Sequence, residues 1–250
     1  MKPRLSLRWS PWRLRYKRLN RARASVRIPS HVGRLVREIR TIGGGHQVCV
    51  LHDVCKAFGG TCGSVLWTAS TALIEWLDAD PSRREHITKR TVVELGSGLG
   101  FTGTCLLRMG AAQVLLTDVP RQLPILRRNL RSNRRPSDGA TLQSCGFVWG
   151  GRPRRVFLQR WDLVVACDVV YKIDHVPALA DTIASLLESG MADAGCSPGG
   201  TQALLALPDR KDFGYHLKVP FGPLFSPTSH PALHVVMQFV HTYVVVLSAS

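Results

Sequence analysis

Thr91-Val92-Val93-Glu94-Leu95-Gly96-Ser97-Gly98-Leu99-Gly100-Phe101-Thr102-Gly103 is the stretch on which the fold turns. β-Branched and apolar side chains fill 91–95, glycines follow at 96, 98 and 100, and helical spacing then runs to about Met109. A strand, a glycine turn and a helix in that order form the opening unit of a parallel sheet. The alternation continues downstream. Val114–Thr117 reads as a second strand ending at Asp118, and Leu123, Leu126 and Leu130 stripe a helix that tolerates Pro124 in its first turn. Gly146–Trp149 reads as a weaker third strand and Leu163–Cys167 as a strongly apolar fourth, ending at Asp168. Val176, Leu179, Ile183 and Leu187 mark another amphipathic helix, 190–200 a loop, and Ala203–Leu207 a fifth strand. After an irregular Pro-rich stretch over 219–231, His234–Phe239 and Thr242–Leu247 read as the last two strands.

Upstream, Trp67, Ser70, Ile74 and Leu77 fall at helical spacing before Pro81, behind a loop at Gly59-Gly60-Thr61-Cys62-Gly63. Two extended segments, about 35–42 and 47–52, flank Gly43-Gly44-Gly45, a hairpin turn. The expected fold class is therefore α/β: a seven-stranded Rossmann-like sheet with a small N-terminal β-hairpin. Its domains are a basic, disordered tail over 1–34 and one folded body over 35–250. Within that body the hairpin occupies 35–60 and the ligand-binding core sheet 91–212.

Bulk properties bound the function. The chain has 250 residues, 45% hydrophobic and 20% charged, which suits a single globular core. No apolar run is long enough for a membrane helix. Seven cysteines without a Cys-x-x-Cys pair indicate neither a disulfide framework nor a zinc ribbon. His230 and His234 have His-x-x-x-His spacing but flank Pro231 and lack the glutamate of a zinc-protease helix, so no metal is expected. The net charge of +16 is uneven. Residues 1–37 hold twelve Lys/Arg and no acid, which leaves 21 bases against all 17 acids in the rest, only +4. Trp9, Trp12 and Tyr16 lie between those bases, and the tail reads as a solvated extension, an organelle presequence, or an arm that contacts RNA or membrane. A cytoplasmic location is expected, with a mitochondrial or other organellar one if the tail is a presequence. A monomer is expected, without a membrane, and a nucleic acid is not favoured as partner.

Ligands of such sheets bind beyond the carboxyl ends of the strands, where strand order reverses. Gly96, Gly98 and Gly100 let the backbone turn and approach a ligand closely. Asp118, 20 residues after Gly98, is placed to accept both hydroxyls of a ribose. Gly98 through Gly103 also spells Gly-x-Gly-x-x-Gly, the weak dinucleotide fingerprint. Glu94 favours the other ligand: a carboxylate there repels a pyrophosphate but suits the sulfonium and ammonium of S-adenosylmethionine.

Residues 63–77 (GSVLWTASTALIEWL), 92–103 (VVELGSGLGFTG), 117–133 (TDVPRQLPILRRNLRSN), 148–150 (VWG) and 162–171 (DLVVACDVVY) together resemble the seven-β-strand protein-lysine methyltransferases of non-histone substrates, and most closely the methyltransferase-like 21 group. The resemblance runs from about residue 46 to 212. It implies a class I S-adenosylmethionine-dependent methyltransferase sheet and methyl transfer to a lysine ε-amine of a partner protein. It further implies that Trp67 lines the pocket near the methionine end, that Gly96, Ser97 and Gly98 wrap the methionine part, and that Asp118 holds the ribose. Trp149 would border the adenine and Cys167 would face the cofactor where the family more often has alanine. Asp168 and Tyr171 match the family's Asp-x-x-Tyr motif, which receives the substrate lysine; Arg210 is a weaker match to a family arginine.

Plainer readings stand beside these. Trp67 and Trp149 also fit ordinary aromatics, Asp118 and Asp168 helix caps, Tyr171 a core residue, and Cys167 a small buried apolar group. Asn129 and Asn133 read as helix-surface positions rather than site residues. The arginines at 127, 128, 131, 134 and 135 read as a solvated face that, with Arg152, Arg154 and Arg155, could attract an acidic protein. Two other functions share the pattern: methylation of an RNA base or small molecule, and a non-catalytic binding module.

Overall fold

The computed structural model describes residues 35–53, 62–135, 141–151, 159–189, 201–208, 233–239 and 242–248. Two antiparallel strands, β1 (Val36–Ile42) and β2 (His46–His52), form the expected hairpin around Gly43–Gly45. The helices are α1 (Thr68–Asp78), the short α2 (Pro81–Arg84), α3 (Phe101–Arg108), α4 (Leu123–Asn133) and α5 (Val176–Ser189). They alternate with β3 (Thr91–Leu95), β4 (Gln113–Asp118), β5 (Leu142–Gly146), β6 (Leu163–Cys167) and β7 (Gln202–Pro208), and β8 (Leu233–Phe239) and β9 (Thr242–Ser248) close the chain.

These last seven strands make one sheet in the order β5-β4-β3-β6-β7-β9-β8. The first five are parallel; β9 runs antiparallel to both β7 and β8. The chain moves outward from β3 through β4 to β5, then returns to place β6 on the other side of β3. That reversal opens a crevice beyond the carboxyl ends of β3 and β6. Both central strands are buried almost throughout, as apolar runs covered by helices on both faces must be. Their residues alternate between two cores. Val92, Leu163, Val165 and Cys167 join the layer of α1, α3 and α4, while Val93, Leu95, Val164 and Ala166 join that of α5.

Three expectations need correction. The third parallel strand is Leu142–Gly146, not 146–149. It is an edge strand whose Gln143 is exposed, so it lacks the apolar run of the central strands, and Trp149 lies beyond it in a turn closed by Gly151 N donating to Val148 O. Trp67 precedes α1 with extended backbone rather than belonging to the helix. Asn129 and Asn133 are buried, not on the helix surface. Asn129 accepts from Leu51 N at 2.6 Å and donates to Leu51 O at 3.1 Å, and Asn133 pairs in the same way with Cys49 at 2.7 and 2.6 Å. Two side-chain amides thus occupy alternate positions along β2 and fasten the hairpin to α4. The tail over 1–34, the Gly59–Gly60 part of its loop, the loop over 190–200, the stretch 219–231, Arg210 and the arginines at 152, 154 and 155 lie outside the described residues.

Candidate active site

The turn after β3 is built from glycines because side chains have nowhere to go. Gly96 has φ +68°, and a Cβ there would lie 2.9 Å from Val169 Cγ1 and 3.3 Å from Trp149 Cζ2. Gly98, at φ +53°, packs backbone to backbone on Gly63, where a Cβ would meet Gly63 O at 3.1 Å. Buried Gln122 ties these two segments together: its Nε2 donates to Gly63 O at 2.8 Å and to Gly98 O at 3.2 Å. Asp118, at the end of β4, completes the frame. Its Oδ2 accepts from Gly98 N and its Oδ1 from Val119 N, both at 2.7 Å. A carboxylate offers about four acceptor positions, so two remain for a ligand. Burial raises the Asp118 pKa, against the pull of those two amides and of Arg121. Ser97 N donates to Thr117 O at 2.9 Å, which fixes the loop to β4.

Gly63, Gly96, Ser97, Gly98 and Asp118 help to wall one cavity of about 440 Å³ in the crevice. Of the expected residues, Trp67, Gly96, Ser97, Gly98, Asp118, Trp149, Cys167, Asp168 and Tyr171 all line it. Glu94 and Gly100 are not among the residues that line it. Glu94 lies behind the loop, 2% exposed, and its Oε2 accepts from Gly103 N in the first turn of α3 at 3.0 Å. Burial pushes its pKa up to about 8, so near neutrality it is largely protonated and offers the cavity little charge. Gly100 starts α3 at φ +76°, where a Cβ would strike Leu126 Cδ1 at 2.6 Å. Cys167 is buried, its thiol raised further by burial and by Glu94, and it takes a hydrogen bond from Thr102 Oγ1 at 3.7 Å; it is a wall and not a nucleophile.

The mouth lies beyond β6. Asp168 is the first residue after the strand, 8% exposed, with its N donating to Ala206 O at 2.9 Å and with φ +55°, left-handed backbone that a non-glycine residue rarely adopts. Tyr171 is 45% exposed and Trp67 42%, so both rings border an opening rather than a core. Trp67 Nε1 donates to Cys62 O at 2.8 Å. His175, which the sequence did not single out, meets the edges of both Trp149 and Tyr171, with centroids 6.3 and 6.1 Å apart and planes near perpendicular. Arg121 and Asp174 line the cavity as well, and the sequence assigned neither a role of its own.

Residues 53–192 match the family model described as lysine methyltransferase. This chain belongs to the lysine methyltransferase family. Among relatives, it is 28% identical over 159 residues to EEF1A lysine methyltransferase 3 of Mus musculus, covering 63% of this chain and 60% of that protein. It is 29% identical over 123 residues to Protein N-lysine methyltransferase METTL21A of Xenopus tropicalis, covering 49% and 54%. The chain thus spans little more than half the length of these two relatives. Among solved structures, the Thermus 16S rRNA N2 G1207 methyltransferase RsmC, in complex with AdoMet and guanosine, superposes with a TM-score of 0.62 at 18% identity over 90% of this chain and 52% of that one. That likeness establishes the sheet topology of this family member as that of a methyltransferase fold. Among the described residues, no three His, Cys, Asp or Glu side chains group as a metal site, and no helix is long and apolar enough to cross a membrane.

Proposed function

We propose that this chain transfers a methyl group from S-adenosylmethionine to the ε-amine of a lysine on a non-histone protein, releasing S-adenosylhomocysteine and a proton. The observation that carries the reading is one cavity lined by Asp118, Asp168 and Tyr171 together. The residues suit the cofactor. Asp118 keeps acceptor positions for two ribose hydroxyls, Gly96 and Gly98 leave backbone room where a Cβ would clash, and Trp149 offers a flat wall for an adenine. When bound, the cofactor supplies an electrophilic methyl group on a sulfonium.

The protein's own contribution is alignment. A free lysine has a pKa of ~10.4, so nearly all of it arrives as ammonium without a lone pair. Asp168 accepts a hydrogen bond from that ammonium and orients it. Its charge favours the protonated form, so it docks the lysine rather than deprotonating it. Desolvation between Tyr171 and Trp67 acts the other way and promotes loss of the proton to water. Holding the nitrogen in line with the methyl carbon supplies roughly 7–11 kcal/mol of the barrier. No covalent enzyme intermediate is required.

Incubation with labelled S-adenosylmethionine and cell lysate tests the reading. A labelled protein band whose label maps to lysine is expected; labelled RNA, or no label, overturns it. We also propose a cytoplasmic location, since the free cysteines at 49, 62, 105, 145 and 167 suit a reducing compartment. Mass spectrometry of the cellular protein checks this: an N-terminus trimmed near residue 34 would place it in an organelle instead.

A further inference from the structure

Helix α4 is divided into two unlike faces. Ile125, Leu126, Asn129 and Asn133 are buried, whereas Arg127, Arg128, Arg131, Arg134 and Arg135 are exposed. At about 100° per residue, Arg127 and Arg131 lie about 40° apart as a stripe on one side of the helix, about 6 Å along its axis, and Arg134 follows as the extended residue that ends it. Arg121, just before the helix, lines the cavity, so positive charge continues to its rim. From Val119 to Arg135 the chain has no Asp or Glu, so this element supplies no carboxylate to neutralise the stripe.

Inside the cavity the sign reverses, because Asp118, Asp168 and Asp174 all line it. A nucleic acid, negative along its whole length, would be drawn to the stripe and repelled where it entered the site. A peptide with a lysine beside carboxylates matches both signs at once. The aromatic rings among the exposed large hydrophobic residues described are Trp67 and Tyr171, both at the mouth, so the stripe offers no platform on which bases could stack.

We propose that Arg127 and Arg131, with Arg134 at the helix end, dock an acidic segment of the protein substrate. The proposal rests on the lysine-methylation reading of the cavity. Arg127 and Arg131 are separated by about 6 Å of helix rise, and carboxylates two residues apart in an extended peptide stand about 6.6 Å apart. Alternating Glu or Asp therefore presents one carboxylate to each guanidinium, in the two-pronged geometry that arginine favours.

The test uses the full chain, a fluorescent 12-residue peptide with one lysine followed by alternating glutamates, and a 12-nucleotide single-stranded RNA. Arg127→Glu/Arg131→Glu is compared with Arg13→Glu/Arg15→Glu, which makes the same charge change in the tail. At physiological salt the first pair should weaken peptide binding at least tenfold and the second less than twofold. In methyl transfer to that peptide the first pair should raise KM and leave kcat within twofold. Equal losses in the two variants, no loss in the first, or loss of RNA binding with peptide binding intact would each overturn the proposal. Binding of S-adenosylhomocysteine is read in parallel. If the wild type fails to bind it, the methyltransferase reading fails. If only the Glu variant does, Arg127→Gln/Arg131→Gln repeats the comparison in a gentler form.

Discussion

Asp118 and Asp168 are both buried or nearly so at strand ends in one cavity, yet they separate cleanly by what substitution should do. Asp118→Ala removes a charged acceptor from two ribose hydroxyls, each such bond worth ~1.5–3 kcal/mol. Calorimetry should show S-adenosylhomocysteine affinity down at least tenfold, and unchanged affinity in a folded variant would remove Asp118 from the cofactor site. Asp168→Ala should keep cofactor affinity within about threefold but slow methyl transfer about a hundredfold, ~2.7 kcal/mol of barrier. Near-normal turnover would leave Asp168 as nothing more than an unusual bend after β6. Tyr171→Phe should do less harm than Tyr171→Ala, because the ring that meets His175 matters more than the hydroxyl. Glu94 gives a prediction about stability. Its folded pKa, about 8, lies above the ordinary 4.5, because burial disfavours the anion. The folded state therefore holds a proton that the unfolded chain releases, so this contribution is full below about pH 4.5 and is lost as pH rises towards 8. Glu94→Gln should flatten the fall in unfolding free energy between pH 5 and 8, measured by urea titration; an unaltered slope would mean that Glu94 is ionised throughout.

Elements were legible in proportion to how fully they are buried. β3, β4, β6 and β7 announced themselves as apolar runs because helices cover both of their faces. β5 did not, because an edge strand with exposed Gln143 carries no such run and the aromatic residues beyond it drew the reading three to four residues too far. Glu94 shares the side of Val92, which packs in the layer of α3, and its carboxyl is taken up there by Gly103 N. Asn129 and Asn133 had no signal in one dimension. An amide on a polar helix reads as surface until a strand some 80 residues earlier is found lying against it. Asn129→Ala would leave Leu51 N and O without these partners, and because both are only partly buried the loss falls at the lower end of the roughly 1–3 kcal/mol that an orphaned buried group costs. Urea unfolding should show a loss of that order, with amide exchange accelerated first in β1 and β2; a hairpin that remains protected would show that its apolar contacts with the core suffice.

For the molecule as a whole, positive charge is concentrated near the start of the sequence. Twelve of the 33 bases precede residue 38, and among the described residues, which begin at Leu35, the core, the cavity wall and both sheets assemble from one another. Deleting residues 1–34 should therefore leave thermal stability and S-adenosylhomocysteine affinity unchanged. A lower melting temperature in the shortened chain would show that those residues pack against the body. The switch-point crevice was predictable from the order of strands alone, and the family resemblance added the roles of Asp168 and Tyr171. Neither source could supply the His175 bridge between Trp149 and Tyr171, which depends on two loops meeting in space.

The asparagine clasp also sets a schedule for the growing polypeptide. Cys49 and Leu51 wait for partners 84 and 78 residues further along the chain. At about 5–20 residues per second, the ribosome needs roughly 4–17 s to deliver α4 after β2 has emerged. Through that interval the hairpin's outer edge, with its unpaired N–H and C=O groups, is open to other strands. Synthesis speed over residues 52–133, more than the stability of the finished protein, thus governs how long the nascent chain is vulnerable to mispairing.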